Sequence, residues 1–339
     1  MSLLIAFRRY FASPSLVIRP IAAALVVFST TPQPLLSQDA AETPLPQREI
    51  ALSFDDAPRG DGQLLDGRTR TLMLIQALER AGVEGAGFFV LTGQIAETDG
   101  GSERIAAYQA AGHVLANHTH THPSLNRTEA DAFLADVDLA AEVLSEFGSS
   151  IDLFRFPYLR EGDTTEKHAV VRDGLADRGL RNAYVTVDNY DWYLQALVDE
   201  AVGAGHPLDH AALGQLYVDV LVDAVEFYDA VAKRALGRSP RHVLLLHEND
   251  LAALFVDDLV IRLRELGWTI ISVDDAYEDD IANQQPDTLF HNQGRVAALA
   301  HAAGVQPKEL INVTEDESYL RALFEDHGLL PKPDSPGSD

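Results

Sequence analysis

From residue 49 onward, apolar and polar positions divide the chain into short apolar runs alternating with segments of helical periodicity. Residues 50–54 form an apolar run that predicts a strand, and residues 68–81 carry Leu72, Ile75 and Leu78 at helical spacing before Gly82. Residues 87–91 and 114–117 predict two more strands, around a helical pattern at 104–111 that stops at Gly112. The clearest helix spans 128–147. It opens on Thr128-Glu129-Ala130-Asp131, close to a capping box, carries Phe133, Val137, Ala140, Ala141 and Leu144 on one face, and ends at Gly148. Strands at 153–156, 183–187, 243–246 and 269–273, with helices at 166–178, 209–236 and 251–266, complete the set.

Such alternation predicts a parallel sheet with helices outside it. Seven or so units suggest closure into a distorted TIM-like (β/α)7-8 barrel forming a single α/β catalytic domain, with an open doubly wound sheet as the alternative. No glycine-rich phosphate loop follows a strand, so nucleotide binding has no support.

The pattern changes on either side of this region. Arg8, Arg9 and Arg19 accompany the apolar run 21–28, far shorter than the roughly 20 residues that span a bilayer. Residues 1–40 therefore read as a targeting segment, with Arg8-Arg9 and Phe11 weakly resembling a twin-arginine signal. The expectation is an exported protein, periplasmic or extracellular, with no stable membrane span; a retained N-terminal anchor is the alternative. Prolines at 32, 34, 44 and 46 mark an extended linker that ends at residues 41–48. The barrel is expected over 49–285. A helical extension at 286–330, including a helix near 317–327 with no role in the chemistry, and a disordered tail at 331–339 follow.

The formal net charge is −26, and 46% of residues are hydrophobic, a proportion usual for soluble globular chains. This charge argues against nucleic acid and anionic membrane surfaces, whose phosphates require Lys and Arg. The absence of cysteine excludes disulfides, thiolate metal sites and a cysteine nucleophile.

Candidate chemistry centres on Ala116-Asn117-His118-Thr119-His120-Thr121-His122-Pro123. On a helical turn, His118 and His122 would share a face and could converge on one metal, with a carboxylate completing the set. A solvated histidine tract or a satisfied core histidine would give the same spacing. In a βα barrel the active site forms at the C-terminal strand ends. Asp55-Asp56, His118, His122, Arg155, Asp188, Asp191-Trp192 and His247 all follow predicted strands. His120, between the two ligand candidates, would point away from their shared face.

These segments resemble the polysaccharide deacetylases of carbohydrate esterase family 4, metal-dependent amide hydrolases on a distorted βα barrel. Ser53-Phe54-Asp55-Asp56-Ala57-Pro58 is similar to the first family motif, and His118-Thr119-His120-Thr121-His122-Pro123 to the second. Arg155-Phe156-Pro157-Tyr158, Asp188-Asn189-Tyr190-Asp191-Trp192 and Leu245-Leu246-His247 resemble the remaining three, in order. Ala57 stands where glycine is usual, Leu159 where glycine is frequent, and a long insertion precedes the last motif.

The resemblance implies that Asp56, His118 and His122 bind one divalent metal, zinc first and cobalt or nickel as alternatives. It implies Asp55 as general base, Arg155 as its support, and His247 oriented by Asp191 as general acid. The Tyr158 backbone N–H would stabilise the oxyanion, and Trp192 would form a wall for a sugar. At an extended strand end successive side chains diverge, which would keep Asp55 off the metal. The expected substrate is an N-acetylated sugar of a polysaccharide or oligosaccharide. A non-sugar amide or O-acetyl ester under the same mechanism, and a non-catalytic carbohydrate-binding barrel, are the alternatives. Residues 193–241 are too long for an ordinary connection. Their second half reads as a long helix on the barrel exterior; their first half, from Tyr193 to Pro207, starts at the catalytic rim and either leans over the pocket or forms a surface excursion that packs away from it.

Overall fold

The organising strand β1 (Arg48–Ala57) has both faces covered, as a central strand of a parallel sheet must. The computed structural model describes residues 48–148 and 152–332; the expected targeting segment, nearly all of the linker and most of the C-terminal tail lie outside them. After β1 come α1 (Gly67–Arg80), β2 (Gly87–Val90), α2 (Gly93–Glu97), α3 (Gly101–Ala110), β3 (Val114–Asn117) and α4 (Ala130–Ser145). The chain continues through β4 (Leu153–Phe154), α5 (Thr165–Asp177), β5 (Arg181–Asn182), α6 (Asp191–Gly203), α7 (His210–Leu236) and β6 (Arg241–His247). It finishes with α8 (Asp250–Glu265), β7 (Trp268–Ile270), α9 (Val273–Tyr277), α10 (Gly294–Ala302) and α11 (Glu317–Asp326).

All strand pairs are parallel, in the order β5-β4-β3-β2-β1-β6. β6 pairs with β1 from Glu49 to Asp55, so β7, opposite Arg48–Ile50, and β2, opposite Ser53–Ala57, share the other edge of β1. Past β5 the chain crosses to β6, where Val187 bridges Leu244 and the Leu245 N–H donates to the Val187 carbonyl at 3.1 Å. That crossing closes the sheet into a distorted barrel with helices around it.

Two local expectations need correction. The strand expected at 183–187 is displaced: regular pairing is confined to β5, and residues 183–187 divide their hydrogen bonds between neighbours. Ala183 N–H donates to the Phe154 carbonyl and Val187 N–H to that of Val243, so a continuously buried run never forms one ladder. The helix expected from 128 starts at Ala130 with Glu129 as its N-cap and no side-chain cap; Thr128 instead closes the preceding 3-10 turn at Leu125–Arg127.

Capping fixes other helices as the sequence suggests. Asp66 accepts from Thr69 N at the start of α1, and Asp209 from Ala211 and Ala212 N at the start of α7, which ends on Gly237 at φ 73°. The expected apolar stripe of the long helix, Leu213, Leu216, Tyr217, Val220, Leu221, Ala224, Val225, Tyr228, Val231 and Ala232, is buried along α7. Of residues 193–207, read as a flap over the pocket or a surface excursion, 193–203 continue helix α6, whose Leu194, Leu197, Val198 and Ala201 are core residues rather than either.

Candidate active site

The strand ends β1, β3, β4 and β6 and the N-terminus of α6 bring the expected residues around one cavity of about 520 Å³. Its lining includes Asp55, Asp56, His118, His122, Tyr158, Trp192 and His247, joined by Arg59, Arg160, Asp188, Asn292 and Gln293.

The two histidines meet without a helical turn. β3 ends at Asn117, and the backbone becomes left-handed at Thr119 (φ 70°) and His122 (φ 58°). Asn117 Oδ1 accepts the Thr119 N–H at 2.8 Å, Thr119 Oγ1 accepts that of His122 at 3.1 Å, and Asp136 of α4 accepts those of His120 and Thr121. This turn sets the Nε2 atoms of His118 and His122 3.3 Å apart. His120 points elsewhere, its Nδ1 lying 2.9 Å from Thr92 Oγ1.

Asp56 completes the cluster, its Oδ1 3.4 Å from His122 Nε2 and 3.7 Å from His118 Nε2. Donors arranged tetrahedrally about an ion at about 2.0–2.2 Å stand roughly 3.3–3.6 Å from one another, so this set fits a zinc-type centre. Two further observations agree with that fit. His118 Nδ1–H can donate to the Arg155 carbonyl at 3.0 Å, which leaves the Nε2 lone pair facing the cluster. Asp56 Oδ1 is buried with no hydrogen-bond partner among the described residues. Burial alone would raise the Asp56 pKa, but His247, His122, His118 and Arg59 override it and bring it down to about 2. Burial, reinforced by His118, lowers His122 to about 4, which keeps its ring neutral and able to ligate.

Asp55 does not diverge from this cluster as its place on an extended strand would require. Asp56 has φ 66° and the β1–β2 register shifts there, so Asp55 Oδ2 stands 3.7 Å from His118 Nε2, as close as Asp56 does. What separates the two aspartates is Arg155. Its Nη1 donates to Asp55 Oδ1 at 2.5 Å and to Ser53 Oγ at 2.9 Å, while Nη2 reaches Tyr277 OH and Nε the Ala183 carbonyl. The guanidinium lies 3.6 Å over the Phe89 ring and is fully buried.

Across the cavity, His247 Nδ1 is 2.7 Å from Asp191 Oδ1, and Asp191 Oδ2 accepts from the His247 N–H and from Asn249 Nδ2. Burial would lower the His247 pKa, but the Asp191 carboxylate outweighs it and the net shift is upward. Tyr158, at φ 59°, puts its ring 4.5 Å from that of His122, and Trp192 stands half-exposed between Tyr190 and Tyr193. Asp188 is pushed well above the usual carboxylate range by burial and by Glu315.

A second His/Glu group, Glu161, His168 and His291, lies in the wall beyond the cavity. It does not fit a metal as well: the imidazoles are parallel and stacked at 4.9 Å, so their in-plane lone pairs do not converge. His168 Nδ1 is moreover 2.9 Å from the Glu161 carbonyl.

Sequence reasoning missed Asp136, Arg59, Arg160, Asn292 and Gln293. An aspartate on the polar face of α4 and amides in a polar stretch carry no spacing signal; only the folded chain brings Asp136 to the histidine turn and Asn292 and Gln293 to the cavity.

Comparison with known proteins gives a match to the polysaccharide deacetylase family over residues 42–174. A chitooligosaccharide deacetylase of Rhizobium leguminosarum bv. trifolii is 29% identical over 165 residues, which is 47% of this chain and 68% of that protein. Among solved structures, a peptidoglycan deacetylase of Bacillus subtilis aligns at 20% identity over 68% of this chain and 91% of its own, with a TM-score of 0.45. A family 4 carbohydrate esterase of Streptomyces lividans, in complex with acetate, aligns at 23% identity over 68% and 97%, also at 0.45.

Proposed function

The chain carries a polysaccharide deacetylase domain, and from that premise we propose that it is a metal-dependent hydrolase removing acetyl groups from N-acetylated sugars of a polysaccharide or oligosaccharide. The reading rests on the unequal surroundings of the two aspartates at the end of β1. Asp56 faces two imidazoles with an oxygen that has no hydrogen-bond partner among the described residues, while its neighbour Asp55 is held by Arg155 beside them.

In this reading Asp56, His118 and His122 hold one divalent ion, zinc before cobalt or nickel for an imidazole-rich set. Such an ion lowers the pKa of water and polarises a carbonyl. Asp55 takes the proton of the attacking water through Oδ2, its other oxygen being fixed by Arg155. His247 delivers a proton from Nε2 to the leaving amine; Asp191 at Nδ1 fixes that tautomer and stabilises the imidazolium. The Tyr158 N–H supports the developing oxyanion and Trp192 offers an apolar face to the sugar ring. Residues 1–40 direct the protein out of the cytoplasm in the same proposal.

Acetate release should be measured on N-acetylated oligosaccharides, O-acetylated xylan and simple amides, before and after chelation and on metal addition. The proposal expects release from the N-acetylated sugars, lost on chelation and restored by zinc. Full activity after exhaustive chelation, or preference for the ester or the simple amide, contradicts it.

A further inference from the structure

The C-terminal segment contributes a polar wall to the cavity, and its position is tightly determined. Gly294 N–H donates to the His291 carbonyl at 2.8 Å, and Arg295 N–H to the Val185 carbonyl at 2.8 Å. Gly294 sits at φ 81° against the barrel, where an added Cβ would come within 2.7 Å of the Val185 oxygen, so only glycine lets the backbone approach so closely. His291 stacks on His168, and the Arg295 guanidinium lies 4.4 Å over the Tyr184 ring.

Gln293, held between these anchors, is only 7% exposed and lines the cavity. Its buried Oε1 has no hydrogen-bond partner among the described residues. Leaving a buried amide atom unpaired is costly, and oxygen and nitrogen of the amide are interchangeable by a flip that leaves one of them equally unpaired. A primary amide both donates and accepts, which matches a hydroxyl, itself donor and acceptor. The acyl carbonyl is addressed by the Asp56 cluster, which leaves the ring hydroxyls for this wall.

We propose that Gln293 is a specificity-determining residue whose side-chain amide hydrogen-bonds a hydroxyl of the acylated sugar ring, with the exposed Asn292 beside it. The inference rests on the deacetylase reading and extends it to a segment outside the five motifs.

The test uses Gln293→Met, which keeps the volume and removes the hydrogen bonding, and Gln293→Glu, which keeps the shape and an acceptor. Binding of N-acetylglucosamine oligomers is followed by tryptophan fluorescence in an Asp55→Asn background, so that the sugar is not consumed. One lost neutral hydrogen bond should weaken binding roughly 2- to 12-fold in the Met variant, with Glu intermediate. The wild-type background hydrolysing 4-nitrophenyl acetate, which has no sugar hydroxyl, should be unaffected by either change. Unchanged sugar affinity in either folded variant, an equal loss on 4-nitrophenyl acetate, or no oligomer binding before substitution each overturns the proposal. Binding that depends on Gln293 without acetate release from the sugar would instead overturn the deacetylase reaction and leave the recognition standing.

Discussion

Asp56, Thr119, His122, Tyr158 and Leu159 are the non-glycine residues with positive φ among the described residues, and all five lie at the candidate site. Such backbone costs of order 1–3 kcal/mol per residue and persists where the surroundings over-determine it, which points independently to the same place as the side-chain chemistry. The donors themselves were legible because the spacing of His118 and His122 and the paired aspartates are written in consecutive residues. How they converge was not legible, since a helical turn and a left-handed one give the same spacing in sequence. His120 illustrates the difference in role: with its Nδ1 on Thr92, His120→Ala should keep near-normal metal occupancy, as elemental analysis would show. The His247 pair makes a pH prediction. Asp191 raises the His247 pKa, so the folded protein holds that proton more tightly than the unfolded chain. The pair therefore stabilises fully below the ordinary value of 6.5, and the gain is lost as pH rises through the raised one. Asp191→Asn should move the alkaline limb of the pH–rate profile to lower pH; an unmoved limb would remove His247 from the role of acid.

At the level of elements, α6 shows why the insertion could not be read as a flap. Its sequence starts at the pocket rim with Asp191 and Trp192, but Leu194, Leu197, Val198 and Ala201 are spaced for a helix face and go into the core. Leu197→Ala should therefore destabilise the protein by about 2–5 kcal/mol in a denaturant titration and leave the preference between long polymer and short oligomer unchanged. The turn after β6 is tied down by a buried ion network. The Glu248 carboxylate receives Arg104 at 2.9 Å and Tyr108 OH at 2.8 Å, with Arg70 at 3.4 Å, while the Glu248 N–H donates to the Asp55 carbonyl. Removing one partner of such a network strands a buried charge, so Arg104→Met should cost about 3–5 kcal/mol by the same measurement. Periodicity could place the strands and helices that meet here. It could not pair Arg104 with Glu248, because contacts across 144 residues leave no local pattern.

Across the whole molecule, the barrel was legible from the alternation of its elements, whereas the part played by the C-terminal region was not. The extension expected at 286–330 supplies Asn292 and Gln293 to the cavity, while its Glu315 accepts from Tyr228 OH of α7 at 2.6 Å. Ending the chain after residue 332 should leave acetate release unchanged, while ending it after residue 285 should abolish it together with the cooperative unfolding transition. In the proposed function adjacent aspartates at the end of β1 take different tasks, one to hold a metal and the other to move a proton. Bound metal and acetate release, measured together in Asp55→Asn and Asp56→Asn, separate those tasks. Asp55→Asn should retain close to one ion per chain while its rate falls on the order of 10² to 10⁴, and Asp56→Asn should lose the ion and the activity together. A metal-free Asp55→Asn, or an Asp56→Asn that keeps its metal and its rate, would contradict that assignment.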